Sequence, residues 1–389
     1  MIRKLDPWEQ YIKKYSYLIS QEPENIELYL KRANFYNMQE NYPYAQQDCN
    51  TVLEQDPDNI EARMEKADIY FHMQQFRKCF EEYKLALEKK PNNTRILSDR
   101  AEAYQELGNY PKALQDLNII IDMKPDAGAY FQRAELHFNF RNFEAALLDY
   151  SRSIELGEEN IFTYQPRAFC HYQLGDQKNC INDLTQAIEL SNEVWFHHNL
   201  ALRAKMYYRF SRYSKSLRDY NKLIELKQDN AKYLAERARV LFELERFAES
   251  YRDLDKALSI DPEEVEIYTV RYEIDERLLE YENALKAITK AISLEPNEAQ
   301  YYISRGEILH LQGNYDKAER DYTKAIKLDP KNPEYYTTRA FSYKINGEFD
   351  KAIRDLKKAK ELNPENSKKY DKAIENIDRE PWLRRKEKE

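Results

Sequence analysis

The sequence predicts an all-α protein, an α-solenoid of antiparallel helix pairs, and three observations support this fold class. Glycine occurs only 7 times in 389 residues, charged residues make up 33%, and tyrosine occurs 32 times. This composition suits a helical array better than a sheet protein. Prolines recur every 34 residues, and small and aromatic residues keep the same period. A fixed period of this length is typical of stacked helical repeats.

The prolines mark where repeated units end, because a proline cannot continue a helical hydrogen-bond ladder. They fall into two series with 34-residue spacing: Pro23, Pro57, Pro91 and Pro125, then Pro262, Pro296, Pro330 and Pro364.

Residues 299–332 show the repeated pattern most clearly, as two short helices and a stop. One face of the first helix carries Tyr302, Arg305, Gly306 and Leu309. Gly313 is expected to end that helix, and Pro330 the second. One face of the second helix carries Tyr315, Ala318, Tyr322 and Ala325.

Two residue series repeat this pattern along the chain. A small residue, which lets two helices approach closely, recurs as Ala33, Ala67, Ala101, Ala134, Ala168, Ala204, Ala238, Gly306 and Ala340. The aromatic residue that opens the second helix recurs as Tyr42, Phe76, Tyr110, Phe143, Tyr213, Phe247, Tyr281, Tyr315 and Phe349.

With this period, and with these small, aromatic and proline positions, the chain resembles the tetratricopeptide repeat family over nearly its whole length. The resemblance implies a right-handed superhelix whose first helices line a concave groove. We expect residues 1–25 to hold a partial repeat, 26–366 ten repeats in one continuous superhelix, 367–378 a capping helix and 379–389 a charged tail. The ten repeats are placed at 26–59, 60–93, 94–126, 127–160, 161–196, 197–230, 231–264, 265–298, 299–332 and 333–366.

In the partial repeat, we expect a helix over residues 8–21. Its inward face is predicted to carry Trp8, Tyr11, Tyr15 and Leu18.

Charge and hydropathy restrict the classes of partner. The formal net charge of -8 argues against nucleic acid, whose non-specific binding depends on neutralising phosphates. The first twenty residues lack the apolar run of a signal peptide, and no stretch approaches the roughly 18 apolar residues of a membrane span. The sequence therefore predicts a cytoplasmic protein.

The residue before the small-residue position is basic in every repeat. Sixteen residues after this basic residue, an acidic residue follows in all repeats but one. The basic series is Arg32, Lys66, Arg100, Arg133, Arg167, Arg203, Arg237, Arg271, Arg305 and Arg339. The acidic series is Asp48, Glu82, Asp116, Asp149, Asp183, Asp219, Asp253, Asp321 and Asp355. Ala287 stands where the tenth acid is expected.

These charges have two interpretations: a basic ladder that binds an acidic ligand, or ion pairs between the two helices of each repeat. A charge beside a core needs a partner, which favours pairing. Lys66, the one lysine of the basic series, shares its repeat with Glu82, the one glutamate. The repeat that lacks its acid carries Asp275 one helical turn after Arg271, where pairing is possible.

The middle of the chain departs from the pattern. Repeats 127–160, 161–196 and 197–230 lack the terminal proline, and repeat 161–196 carries two extra residues and Pro166 inside its first helix. Because an internal proline removes a backbone hydrogen bond, we expect local irregularity. Either a mild change of superhelical pitch or a binding region or hinge would account for it.

By the resemblance, the second, fifth, ninth, twelfth and thirteenth residues of each repeat face the groove. In the central repeats these positions hold the predicted peptide-binding residues Phe131, Phe138, Phe162, Phe169, Tyr172, Lys205, Tyr208, Arg209, Lys232, Arg239 and Phe242. Aromatic residues near arginines are common interface anchors. They suggest a partner peptide that is apolar with some acidic residues. Alternatively, several of the aromatics pack between adjacent first helices.

The carboxylate clamp, by which some members of the family hold the C-terminal acids of chaperones, is not predicted. In the best-matching window, Asn34 and Arg95 fit, but Leu30, Glu65 and Asp99 occupy the other donor positions. Two acids there would repel a carboxylate.

No catalytic residue, metal site or cofactor is predicted. Cys49, Cys79 and Cys180 occupy core positions, Cys170 does not follow that pattern, and the four cysteines form no CxxC pair. His137 and His171 fall at one core position in consecutive repeats. His197 and His198 are the one histidine pair that merits a test for metal binding.

The sequence thus predicts a non-enzymatic scaffold that binds a protein or peptide partner in its groove. A first alternative is an RNA- or nucleotide-binding solenoid that uses Lys205, Arg209 and Arg239. A second is self-association through repeat 265–298, where Tyr272 replaces the small residue and Asp275 an aromatic.

Overall fold

The computed structural model describes residues 7–378. The predicted tail, residues 379–389, lies outside the described residues. The rest of the chain forms two compact units, of which the first ends at Phe196 and the second begins at His197. In residues 7–378 every regular element is helical, with 22 α-helices, one 3₁₀ helix and no strand. The predicted all-α solenoid of antiparallel helix pairs is confirmed.

The helices that begin in the first unit are a single helix followed by five hairpins and the start of a sixth. They are α1 (Pro7–Gln21), α2 (Ile26–Met38), α3 (Tyr42–Gln55), α4 (Ile60–His72), α5 (Phe76–Lys89), α6 (Thr94–Glu106), α7 (Tyr110–Met123), α8 (Ala127–Asn139), α9 (Phe143–Glu155), α10 (Ile161–Gln173), α11 (Gln177–Glu189) and α12 (Glu193–Arg209).

The remaining helices belong to the second unit. They are α13 (Tyr213–Leu226), α14 (Ala231–Glu243), α15 (Phe247–Ile260), α16 (Val265–Arg277), α17 (Tyr281–Leu294), α18 (Ala299–Leu311), α19 (Tyr315–Leu328), α20 (Pro333–Ile345), α21 (Phe349–Leu362), the 3₁₀ helix Pro364–Asn366 and α22 (Ser367–Asp378). The predicted limits of the repeats stay a prediction, while the helices within them are observed.

A left-handed residue closes the turn inside each of the ten hairpins. Four of these residues are glycines: Gly108, Gly175, Gly313 and Gly347. Six are not: Glu40, Gln74, Arg141, Ser211, Glu245 and Leu279. The next residue bonds back to the first helix, as Asn314 N–H does to the carbonyl of Leu309 at 2.8 Å. This is a Schellman-type helix end. The hairpin therefore imposes the conformation even where a side chain makes it cost roughly 1 kcal/mol.

Gly306 permits a close approach of α18 to the ring of Tyr322 on α19. A Cβ atom added there would lie 2.6 Å from Cε1 of Tyr322, whose side chain is buried in the core of this hairpin. No real Cβ contact is so short, so the ring would have to move. The small residue at this position therefore serves helix packing.

The inward face predicted for α1 is right in part, because Tyr15 and Leu18 are half-buried and the ring of Tyr15 lies 5.6 Å from that of Phe35 on α2. Ile12 and Ile19 are its buried residues, whereas Trp8 and Tyr11 are exposed. The tyrosine ring of Tyr11 instead stacks on Phe35 of α2, with ring centroids 4.8 Å apart. Aromatic residues at helical spacing predicted a core face, but the branched aliphatic side chains occupy it.

The expected irregularity near Pro166 does not interrupt α10, which continues through it from Ile161 to Gln173. The two extra residues instead lengthen the next helix. Whereas the first helices of the other hairpins have 13 residues, α12 has 17 and begins at Glu193. The insertion is therefore absorbed as helix.

Candidate functional site

The regular basic and acidic residues form ion pairs inside the hairpins, as the second interpretation predicted. In eight repeats the arginine donates from Nε and Nη2 to the two carboxylate oxygens of the aspartate sixteen residues later, at 2.7–2.9 Å. Lys66 pairs with Glu82 at 3.0 Å, and Arg271 with Asp275 at 3.1 Å. The eight regular arginines are structural, so they do not form a ladder for an acidic ligand.

Several of these arginines also reach the preceding hairpin, which the sequence reading missed. Arg133 Nη1 donates to Oδ1 of Asn118 at 2.7 Å, and Arg339 Nη1 to Oγ1 of Thr323 at 2.8 Å. The acceptor lies fifteen or sixteen residues before the arginine. A polar residue at that position in the sequence could therefore have predicted this contact with the preceding hairpin. One guanidinium thus joins three helices.

His137, His171 and the four cysteines are core residues, whereas His197 is half-buried and His198 is exposed. His137 and His171 are buried, and burial lowers the pKa of both. The hydroxyl of Tyr110 lies 2.7 Å from Nδ1 of His137. All four cysteines are buried and free, Cys170 included. Among residues 7–378, no group of three or more histidine, cysteine, aspartate or glutamate side chains is arranged to hold a metal ion.

An acidic cleft of about 400 Å³ lies in the first unit, where three consecutive first helices face one side. Its lining residues are Leu30 and Asn34 from α2, Glu61, Met64, Glu65, Asp68, Phe71 and His72 from α4, Tyr83 from α5, and Arg95, Asp99 and Glu102 from α6. Five carboxylates thus surround a partly apolar floor. Most of these residues hold positions that the resemblance assigns to the groove, but only the central repeats were predicted as a site.

The carboxylates of the acidic cleft are crowded and partly desolvated. Nδ2 of Asn37 donates to Asp68 Oδ2 at 2.6 Å and to Glu65 Oε1 at 3.3 Å. Burial raises the pKa of Glu65, although the amide of Asn34 acts in the opposite direction. Burial likewise raises the pKa of Asp99. Burial therefore disfavours the ionised forms of Glu65 and Asp99, and a cation in the cleft would stabilise these ionised forms.

The predicted site residues of the first unit include half-buried residues that pack against a core and others that are more exposed. Phe131 and Phe138 pack against the core of the α8–α9 hairpin, in line with the alternative of packing between helices. Phe162 and Phe169 keep 55% and 42% of their surface exposed. The ring of Tyr172 lies 6.2 Å from that of Phe169. Phe162 and Phe169, seven residues apart along α10, and the half-buried Tyr172 thus form an aromatic patch on this helix.

Three of the six predicted site residues of the second unit, Tyr208, Arg239 and Phe242, contact neighbouring side chains. Arg239 donates to Glu236 at 2.6 Å, to Glu266 at 3.0 Å and to Glu273 at 2.7 Å. Burial alone would lower the pKa of Arg239, but the three carboxylates outweigh it and raise that pKa. The positive charge of Arg239 is therefore neutralised within the unit.

Phe242 and Tyr208 also contact side chains of the same unit. Phe242 is buried, with the guanidinium of Arg277 4.6 Å from its ring centroid. The hydroxyl of Tyr208 donates to Glu243 at 3.1 Å. Lys205, Arg209 and Lys232 are exposed. The RNA-binding alternative therefore loses one of its three cations, Arg239.

The residues singled out for self-association are not at the surface. Tyr272 and Asp275 are both buried in the second unit.

None of the helices within residues 7–378 combines the length and apolarity needed to cross a bilayer.

Stacked helical hairpins with this period define a helical repeat protein. Models of the tetratricopeptide repeat match residues 98–161, 231–264, 299–332 and 321–354. The chain is a tetratricopeptide repeat protein. No curated protein sequence matches it significantly.

Solved structures of low sequence identity are similar in part. The crystal structure of yeast Tom70 is 16% identical, with 95% of this chain and 100% of that chain covered and a TM-score of 0.45. The tetratricopeptide domain of P58(IPK) is 18% identical, covers 94% and 99%, and has a TM-score of 0.35. MamA is 22% identical, covers 42% and 96%, and has a TM-score of 0.38. The family assignment rests on the repeat models and the chain's own hairpins.

The repeats support a general role as a protein–protein interaction scaffold. Tetratricopeptide folds are typically non-catalytic, and what an individual member recognises depends on its own side chains.

Proposed function

We propose that this chain is a non-enzymatic scaffold that captures a peptide segment of a partner protein in the groove lined by its first helices. The acidic cleft between α2, α4 and α6 carries the proposal. Its volume of about 400 Å³ suits a few side chains of an extended segment. The predicted peptide was apolar with some acidic residues. The charge of this cleft instead favours a segment with lysine or arginine.

The electrostatics of the acidic cleft support a basic segment. Against the five carboxylates, Arg95 is the one arginine or lysine in the lining of the cleft. Arg95 is mostly exposed, and its Nε lies 4.0 Å from Oδ2 of Asp99, which is beyond hydrogen-bond distance. Arg95 therefore offsets little of the negative charge of the cleft. An incoming ammonium or guanidinium would be attracted to the remaining carboxylates, while Met64 and Phe71 contact its aliphatic stem.

Glu102→Lys should weaken binding of a basic peptide about ten-fold or more, because a repulsive charge replaces an attractive one in the cleft. Glu102 is exposed, so the fold should not change. The measurement is fluorescence anisotropy with a labelled peptide of alternating lysine and alanine, compared with a glutamate–alanine peptide.

Glu81→Lys is the matched control, since Glu81 is an exposed residue of α5 outside the acidic cleft. It makes the same change in net charge and should leave the affinity nearly unchanged. Equal losses in both variants would mean that only the overall charge attracts the peptide. Equal binding of the two peptides would reject a cation-selective cleft.

Binding of the lysine–alanine peptide should weaken as the pH falls from neutrality towards 5. The raised pKa values of Glu65 and Asp99 mean that these groups take up protons at a higher pH than ordinary carboxylates. A cation binds the ionised form, so protonation competes with the peptide. The same titration, repeated at several pH values, checks this; affinity that rises on acidification would contradict the proposal.

The aromatic patch on α10 is a second contact in the same proposal, for an apolar side chain of the partner. Phe162→Ala should reduce the chemical-shift changes that N-acetyltryptophanamide causes in α10, because the aromatic surface is lost. Stability should change by less than about 1 kcal/mol, since Phe162 is more than half exposed.

Leu148→Ala is the control for this variant, as Leu148 is an apolar residue of α9 with 72% of its surface exposed. It should leave the probe's effects intact. If Phe162→Ala leaves the shift changes undiminished, the aromatic patch is not a contact site.

A further inference from the structure

An apolar slot of about 280 Å³ lies in the second unit, between α15 and α17 and over α16. Leu254, Leu258 and Ile267 form its apolar walls. The rest of its lining is Tyr268, Arg271, Asp275, Asn283, Lys286 and Ala287. Its volume is near the lower limit of small-molecule sites, so it suits one or two amino-acid side chains.

The slot lies in the repeat where the regular ion pair is broken. Ala287 occupies the place of the aspartate that binds both Nε and Nη2 of the arginine in eight other repeats. Arg271 turns to Asp275 instead, with one hydrogen bond from Nε at 3.1 Å. Asp275 also accepts a hydrogen bond from the hydroxyl of Tyr251 at 2.7 Å. This carboxylate is buried and fully engaged.

The terminal nitrogens of Arg271 retain hydrogen-bonding capacity. Nη1 lies 3.6 Å from Oδ1 of Asp255, beyond hydrogen-bond distance, and the side chain of Asp255 is 73% exposed. An ion pair with such an exposed carboxylate is weak and easily replaced. The Arg271 side chain is 30% exposed, against 15–24% for the eight regular arginines.

Lys286 adds a second cation on the opposite wall. It is exposed, and its ammonium forms no ion pair or hydrogen bond with other residues in the described range 7–378. A carboxylate entering the slot would therefore meet Arg271 and Lys286 at once. The aliphatic walls would at the same time contact an apolar neighbour of that carboxylate.

The slot is distinct from the groove. Glu273, at a groove position of α16, follows Arg271 by two residues, which is a rotation of roughly 200° around the helix. The two side chains therefore leave α16 on opposite sides. A ligand in the slot would not compete with one in the groove.

We propose that the slot binds an acidic side chain of a partner protein, together with an adjacent leucine-sized side chain. The incoming carboxylate supplies to Arg271 the kind of partner that the chain itself supplies in eight repeats. Charge complementarity with Arg271 and Lys286 selects the acid, and Leu254, Leu258 and Ile267 select the apolar neighbour.

The test is titration of the full chain with acetyl-aspartyl-leucinamide, followed through the methyl resonances of Leu254, Leu258 and Ile267. The neutral acetyl-asparaginyl-leucinamide should bind about ten-fold more weakly, since it lacks the charge-assisted hydrogen bonds. N-acetylleucine, which carries only a terminal carboxylate, should also bind more weakly. Equal binding of the neutral dipeptide, or tighter binding of N-acetylleucine, would overturn the proposal.

Ala287→Asp should abolish the response, because the new carboxylate fills the slot and gives Arg271 its internal partner. Lys286→Glu, at an exposed position where folding is unaffected, should weaken binding about ten-fold. Undiminished binding in Lys286→Glu would overturn the proposal even if Ala287→Asp did not fold. Glu102→Lys, in the first unit, should leave this titration unchanged.

Discussion

Replacing Arg239 with alanine should lower the free energy of unfolding by about 3 kcal/mol or more, the cost of leaving buried charge without its partner. The variant removes the guanidinium that holds Glu236, Glu266 and Glu273 together. Three carboxylates would then face one another, with Glu236 buried. Urea denaturation followed by circular dichroism measures the loss.

Lys205→Ala is the matched control for Arg239→Ala. Lys205 occupies the same repeat position one repeat earlier but is exposed, so its removal should change stability by less than about 0.5 kcal/mol. If Arg239→Ala were equally mild, the cluster of glutamates would not depend on this arginine, and Arg239 would again be available for ligand binding.

The pH dependence of Arg239→Ala should differ from that of the unmodified chain. Without the guanidinium, the three ionised glutamates repel one another in the folded state, and protonation relieves that repulsion. The folded variant then takes up protons more readily than the unfolded chain, so its stability should rise as the pH falls below neutrality. Denaturation midpoints at neutral pH and near pH 5 would show the gap to the unmodified chain narrowing.

Asp116→Ala should lower the free energy of unfolding by about 3 kcal/mol, for a related reason within one hairpin. Asp116 is buried and accepts from Nε and Nη2 of Arg100 at 2.8 and 2.7 Å. Its loss leaves a partly buried guanidinium without an acceptor. Asp122→Ala, an exposed position on the same helix α7, is the control and should be nearly neutral.

A double variant separates the value of the Arg100–Asp116 pair from the cost of breaking it. Replacing both residues with leucine removes both charges, so the loss should be clearly smaller than in Asp116→Ala alone. A double variant at least as unstable as Asp116→Ala would mean that the ion pair itself, rather than the orphaned charge, carries the effect.

Much of the fold could be predicted because its signals are local and repeated. Proline marks helix ends, a small residue marks the close contact within a hairpin, and an arginine and an aspartate sixteen residues apart belong to the same hairpin. The turns within the hairpins are less predictable from single residues. Gly313 was expected to end a helix, but Leu279 takes the same left-handed conformation without glycine, because packing of the hairpin closes the turn.

The candidate site was less predictable, because repeat position does not say what faces a side chain across the next repeat. Arg239 and Glu273 share one repeat position in successive repeats, and their pairing at 2.7 Å turns a predicted ligand contact into a structural one. Opposite charges at one position in adjacent repeats were the missed signal. Phe242 and Phe169 both looked like anchors, yet only Phe169 remains exposed.

The sequence by itself determined the helical repeat, the hairpin ends and the ion pairs within hairpins, since each depends on residues at fixed, short separations. Only the tertiary structure decided which groove residues stay free, where carboxylates of α4 and α6 gather into the acidic cleft, and where the slot at Ala287 opens. Each of these two sites combines side chains from three or more helices, and its charge and exposure depend on how neighbouring hairpins pack.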